Sequence, residues 1–145
     1  MSKTEDFLTA QEEQEIVQAI VAAEKDTSGE IRVHIEEHTK KPPLERAQEV
    51  FLALNMQNTK DRNGVLFYVG VANKHFAILG DEGINNVVGA DFWNSTKDIV
   101  IEHFKNNQNK DGLVKGIIEA GKRLKDYFPY QSDDINELPN EISKG

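Results

Sequence analysis

Seven consecutive residues, Val65-Leu66-Phe67-Tyr68-Val69-Gly70-Val71, carry no charge and set apolar side chains at odd and even positions alike. Side chains alternate between the two faces of a strand, so such a run suits a sheet that is covered on both sides. The run therefore predicts a central strand with helices above and below it. Residues 75–79 follow a short break at Asn73-Lys74, and they predict an antiparallel return through a two-residue turn.

The rest of the chain supplies the covering helices. Thr9-Ala10-Gln11-Glu12 matches a capping box, and Ile16, Val17, Ile20, Val21 and Ala23 recur at helical spacing, which predicts a helix over 10–26. Glu30-Ile31-Arg32-Val33-His34-Ile35-Glu36 alternates, so a half-buried strand is expected, with Arg32, His34 and Glu36 on its solvent side. Pro42-Pro43 opens an amphipathic helix that ends near Asn55, and Asn58–Gly64 is a polar loop closed by Asn-Gly. Asp91 is expected to cap a helix whose inward residues are Phe92, Trp93, Ile99, Val100 and Phe104. A last helix carries Leu113, Ile117 and Leu124 and stops before Pro129. Helices flanking a small mixed sheet make an α/β fold, a three-layer αβα sandwich whose central sheet includes one β-hairpin. One domain over 1–130 is expected, followed by an acidic tail over 131–145, extended and pinned by Tyr130, Ile135 and Leu138.

Acids outnumber bases 25 to 17, for a formal net charge of −8, which argues against nucleic acid as the main partner. No cysteine is present, so disulfides, thiolate nucleophiles and cysteine-bound metals are out of reach. No run approaches the length of a membrane span, and the first residues lack a signal's apolar core. A soluble, cytoplasmic monomer is the expectation.

Chemistry is sought where the hairpin ends. The start of one hairpin strand lies beside the end of its partner, so the loop bearing Asp61 must neighbour the one bearing Asp81 and Glu82. Carboxylates gathered there repel one another unless a positive charge intervenes. Hard oxygen donors on glycine-containing loops suit Ca²⁺ or Mg²⁺, and the expected donors are Asp61, Asp81, Glu82 and Asp91, with Asn63 and Asn85 as further ligands. Arg62 and Lys60 offer the alternative, a salt-bridge cluster. The spacing matches no EF-hand, P-loop, dinucleotide fingerprint, G-x-S-x-G or H-E-x-x-H pattern. Ser28, Ser95, Ser132 and Ser143 show no base partner in the sequence. His34, His38 and His75 read as surface histidines.

Several segments together resemble one family. Thr27-Ser28-Gly29-Glu30-Ile31-Arg32-Val33, Lys60-Asp61-Arg62-Asn63-Gly64-Val65-Leu66-Phe67 and Ala77-Ile78-Leu79-Gly80-Asp81-Glu82-Gly83-Ile84 are similar to the TPM-domain family. Asp111-Gly112-Leu113 and Tyr127-Phe128-Pro129 fit as well, so the likeness runs from about residue 8 to 130. The resemblance implies an αβα sandwich, divalent-cation binding at the loops beyond the hairpin, and the acid phosphatase activity suggested for some members. Many members carry Gly-Tyr-Gly-Leu-Glu-Gly after the second hairpin strand. Here the run is Gly80-Asp81-Glu82-Gly83-Ile84-Asn85, so the acidic loop is kept without a donor-by-donor match. Members are often exported and membrane-anchored; this sequence shows neither signal and resembles a stand-alone TPM domain.

Three functional readings follow. The first is a domain whose loops are clipped by Ca²⁺ or Mg²⁺. The second is metal-assisted phosphomonoester hydrolysis at the same mouth, with Asp81 or Glu82 as base. The third is a protein-interaction module in protein quality control, docking through the tail from Tyr130.

Overall fold

The computed structural model of the chain describes residues 7–37, 40–130 and 138–145, the side chain of Asn73 excepted. In chain order the elements are α1 (Ala10–Ala23), β1 (Glu30–Glu36), α2 (Pro43–Ala53), β2 (Gly64–Gly70) and β3 (His75–Gly80), then α3 (Glu82–Asn85), α4 (Asn94–Lys105), α5 (Asn109–Leu124) and β4 (Ser143–Lys144). The sheet runs β3-β2-β1-β4. β1 and β2 pair in parallel across the α2 crossover, and β2 and β3 form the antiparallel hairpin.

The two-sided apolar run does what its pattern requires. On one face Val65, Phe67 and Val69 join Ile31, Val33 and Ile35 under Ile16 and Ile20 of α1, Val100 and Phe104 of α4, and Leu113 and Ile117 of α5. On the other face Leu66 and Tyr68 meet Ala47, Val50 and Phe51 of α2, with Met56 and Leu138. The three-layer αβα sandwich is therefore the fold. Phe92 and Trp93 belong to the first of these cores, as expected.

Local chemistry sets the helix ends. The Glu12 amide donates to Thr9 Oγ1 and the Thr9 amide to Glu12 Oε1, both at 3.0 Å, so the capping box forms. Glycines on α5 let its neighbours come close. A Cβ at Gly116 would stand 2.5 Å from Val100 Cγ2 on α4, and one at Gly121 would stand 2.9 Å from Ala23 Cβ on α1.

Four expectations are corrected. Asp91 does not cap α4: Trp93 holds the capping position without a side-chain bond, and Asp91 only accepts from Asn94 Nδ2 at 3.3 Å. Phe92 and Trp93 must both reach the core, so the chain turns once more before the helix begins. The hairpin closes through a 3₁₀ turn, Val71–Asn73, with Lys74 in the left-handed region at φ 52°. The loop after β3 is not open either, because its residues wind into the single turn of α3.

The fourth correction concerns β1. All seven of its residues are buried, including Glu30, Arg32, His34 and Glu36 at 4–8% exposure. Alternation placed that side in water, but Arg46 of α2 and Tyr68 of β2 cover Glu36, and residues 138–145 return along the strand. β4 adds to β1 in parallel, with His34 opposite Ser143 and Ile35 opposite Lys144. Leu138 is buried, as the tail reading anticipated; Tyr130 is half-exposed, and Ile135 and His38 lie outside the described residues.

Where α1 gives way to β1, Glu24 Oε2 accepts the Ile31 amide at 3.0 Å. Burial pushes this carboxyl up to about 7, the amide bond opposes the shift, and the charge of Glu30 adds to it. Between the unfolded value of 4.5 and the folded value the native state binds more protons. Stability from this group therefore falls as pH rises through that window, and the penalty is complete above it. Glu24→Gln keeps the acceptor and removes the charge. It should match the parent in urea melts at pH 4.5 and exceed it by about 1–2 kcal/mol at pH 8; equal stability at both pH values would contradict this account.

Candidate functional site

The hairpin register places Val65 opposite Gly80, so the residues just before β2 and just after β3 meet at one end of the sheet. Asp81 caps α3, its Oδ1 accepting the Glu82 amide at 2.7 Å. Arg62 takes the left-handed backbone at φ 50°, which other residues than glycine adopt at a cost. Its guanidinium turns back onto the acidic turn. Nε donates to Asp81 Oδ2 at 2.9 Å, Nη2 to Asp81 Oδ1 at 3.1 Å, and Nη1 stands 3.1 Å from Glu82 Oε1. A two-pronged fork of this kind fixes direction as well as distance. The Asp81 side chain is 5% exposed and that of Arg62 40%, so a buried acid is clasped by a base with one side in water.

The backbones touch as closely as the side chains. The Gly83 amide donates to the Arg62 carbonyl at 2.9 Å. A Cβ on Gly83 would fall 2.1 Å from the Asp61 carbonyl oxygen and 2.5 Å from that of Arg62. No side chain other than hydrogen fits there. Beside the clasp opens a recess of about 300 Å³, walled by Phe51, Leu52 and Leu79 and edged by Arg62, Asp81 and Asn85.

The expected donors are thus distributed unevenly. Asp81 and Glu82 share one guanidinium. Asp61 brings its carbonyl to Gly83 while its residue is exposed. Asn85 Nδ2 donates to the Gly80 carbonyl at 3.0 Å, at the edge of the same turn. Asn63 is buried and turns elsewhere, its Nδ2 toward Ser28 Oγ at 3.4 Å and its carbonyl accepting the Glu30 amide at 3.2 Å. Asp91 lies exposed in the turn before α4. Among the described residues, no three His, Cys, Asp or Glu side chains form a group able to hold a metal ion. The loops converge through backbone and through Arg62.

A second polar constellation, at the opposite ends of β1 and β2, was not legible as one. Glu36 is its hub. Arg46 of α2 donates through Nε to Oε2 at 2.9 Å and through Nη2 to Oε1 at 3.0 Å, Tyr68 OH donates to Oε2, and His34 Nε2 lies 3.1 Å from Oε1. Burial pushes the Glu36 carboxyl up, but the bonds from Arg46, Tyr68 and His34 outweigh it and hold the group at about 2. Burial lowers His34, against the pull of Glu36. An ionised Glu36 only accepts, so His34 Nε2 carries the hydrogen and the bare Nδ1 accepts from Ser143 Oγ at 2.9 Å. Ser143 therefore has the histidine partner that its sequence surroundings did not show. The one signal available was register: Tyr68, a hydroxyl inside an apolar run, lies opposite His34.

The family model for the TPM domain matches residues 1–123, and the chain belongs to that family. Among solved structures it is similar to the BA42 protein of the psychrophilic bacterium Bizionia argentinensis, at 56% identity over 100% of both chains with a TM-score of 0.93. It also resembles the N-terminal domain of a protein from P. gingivalis, at 15% identity over 86% of this chain and 82% of that one, TM-score 0.70. The N-terminal domain of the cg2496 protein from Corynebacterium glutamicum matches at 9% identity over 88% and 80%, TM-score 0.64. The last two show the fold alone. No curated protein matches the sequence. Among the described residues no helix is long and apolar enough to cross a membrane.

The tight seat of α3 makes a direct test. Gly83→Ala must move the Asp61–Arg62 backbone, and it should cost about 1–3 kcal/mol in denaturant melts. Amide shifts should spread over residues 61–63 and 81–85. An unperturbed Gly83→Ala protein would contradict the observed approach.

Proposed function

We propose that this TPM domain takes a divalent cation, Ca²⁺ or Mg²⁺, at the hairpin mouth, and that Arg62 is the resident positive charge which the cation displaces. The observation that carries the reading is the clasp itself: two adjacent carboxylates, Asp81 and Glu82, held on one half-exposed guanidinium. Hard carboxylate oxygens suit either ion, and Ca²⁺ accepts irregular oxygen sets at 2.3–2.6 Å, a range typical of such sites. Asp81 and Glu82 would supply the first donors. The exposed Asp61 carboxylate and the Asn85 amide oxygen lie on the two flanking segments and would complete the set. Asn63 and Asp91, engaged with Ser28 and Asn94, stand outside this narrower group.

Competition gives the reading a signature. A cation that binds only the folded state raises the melting temperature by mass action, worth about 2.7 kcal/mol at a hundredfold excess over Kd. Titration of Ca²⁺ and Mg²⁺ into EDTA-stripped protein should raise Tm and shift the amides of residues 61–62 and 81–85. Arg62→Gln, which removes the competing charge, should tighten binding, whereas Asp81→Asn should abolish it. The reading fails if neither the parent nor Arg62→Gln responds to either ion at millimolar concentration.

A further inference from the structure

We propose that the outer edge of β1 is a strand-addition groove for an extended peptide, and that residues 138–145 are its occupant in cis. The partner it fits is an extended segment of another protein, running parallel to β1. That segment presents an apolar residue, a small hydroxyl residue, a lysine and a glycine in succession.

The seat is built to read polar groups. A strand edge that is only sealed needs apolar cover, yet this one buries Glu30, Arg32, His34 and Glu36. Buried ionisable groups are costly unless hydrogen-bonded, so whatever lies on them must supply partners. The cis segment supplies some of them, at Glu30 and His34, while Arg46 of α2 and Tyr68 of β2 hold Glu36. The Leu138 amide donates to Glu30 Oε1 at 2.7 Å, Ser143 bonds His34 Nδ1, and the Gly145 amide donates to the Ile35 carbonyl at 2.9 Å.

Alternation then gives each position its own surroundings. Ser143 faces the Glu36 hub. Ile142 and Lys144 face α1 across a recess of about 490 Å³ that Ala10 and Val17 also line, and Lys144 Nζ stands 2.5 Å from Glu13 Oε1. The next position is tight: a Cβ on Gly145 would stand 2.9 Å from His34 Nε2 and 3.0 Å from Glu36 Oε1, so a larger residue must push those side-chain ends aside. Backbone pairing along a sheet edge with side-chain selection at alternate positions is how strand-addition domains bind peptides. The groove belongs to the TPM domain proper, whereas the occupant lies beyond the residues 1–123 that the family model matches. A tethered occupant competes at an effective concentration near millimolar, so the groove answers to a partner only when the cis segment is loosened.

The test uses the full chain with the occupant weakened and β1 untouched. Lys144→Glu combined with Gly145→Val sets like charges against Glu13 and a side chain against His34, and Lys144→Glu alone is the milder form. A fluorescent peptide, Leu-Pro-Asn-Glu-Ile-Ser-Lys-Gly, is titrated into the parent and both variants, with amide spectra recorded. Saturable binding is expected to the double variant, roughly 10- to 100-fold tighter than to the parent. Shifts should centre on residues 30–36, and the single variant should fall between. A peptide carrying Glu and Val at its last two positions should bind none of them. A loosened segment with no peptide binding overturns the proposal, as does equal binding to parent and variant. Unchanged amide signals across residues 30–36 in the double variant overturn it too, because the groove would then not read lysine and glycine.

Discussion

The structure depends on the pairing of β2 with both of its neighbours. A strand that is apolar on both faces has no stable place except between two covering layers, and its parallel and antiparallel partners settle where every loop emerges. The hairpin register brings residue 62 beside residue 81, and from that single juxtaposition the clasp follows. The parallel register brings His34 beside Tyr68, and the Glu36 hub follows from it in the same way. Two polar constellations at opposite ends of β2, one on each of its pairings, are thus products of one core.

Much of the sandwich was legible because its signals were periodic. The capping box at Thr9, the alternation of Ile31, Val33 and Ile35, and the unbroken run from Val65 each reflect a burial pattern that local sequence records. What escaped was set by distant chain. Nothing near Glu30–Glu36 announces that α2, Tyr68 and residues 138–145 will together cover its polar side, so an alternating strand passed for a half-exposed one. The early turn before α4 escaped for a related reason: the burial of Phe92 and Trp93 took precedence over a plausible cap at Asp91.

The candidate site was legible to the same depth. Hairpin topology implied that the loops of Asp61 and Asp81 would meet, and the backbones do meet at Gly83. Topology says nothing about which charge answers the acids. The answer is Arg62, an alternative that the residues themselves offered, and the left-handed backbone at that position is what aims it. The same gap between placement and partner explains Ser143, whose histidine lies more than a hundred residues away in sequence.

The central claim is that the Arg62–Asp81 fork holds the two loops together. A double-mutant cycle on thermal stability, with Arg62→Ala, Asp81→Ala and the pair, tests it most directly. Asp81→Ala also removes the cap of α3, so the coupling between the two changes, and not the size of either alone, is the quantity that decides. The account expects strong coupling: once Asp81 is gone, removing Arg62 should cost little more. Additive losses, with Arg62→Ala equally damaging in both backgrounds, would contradict it.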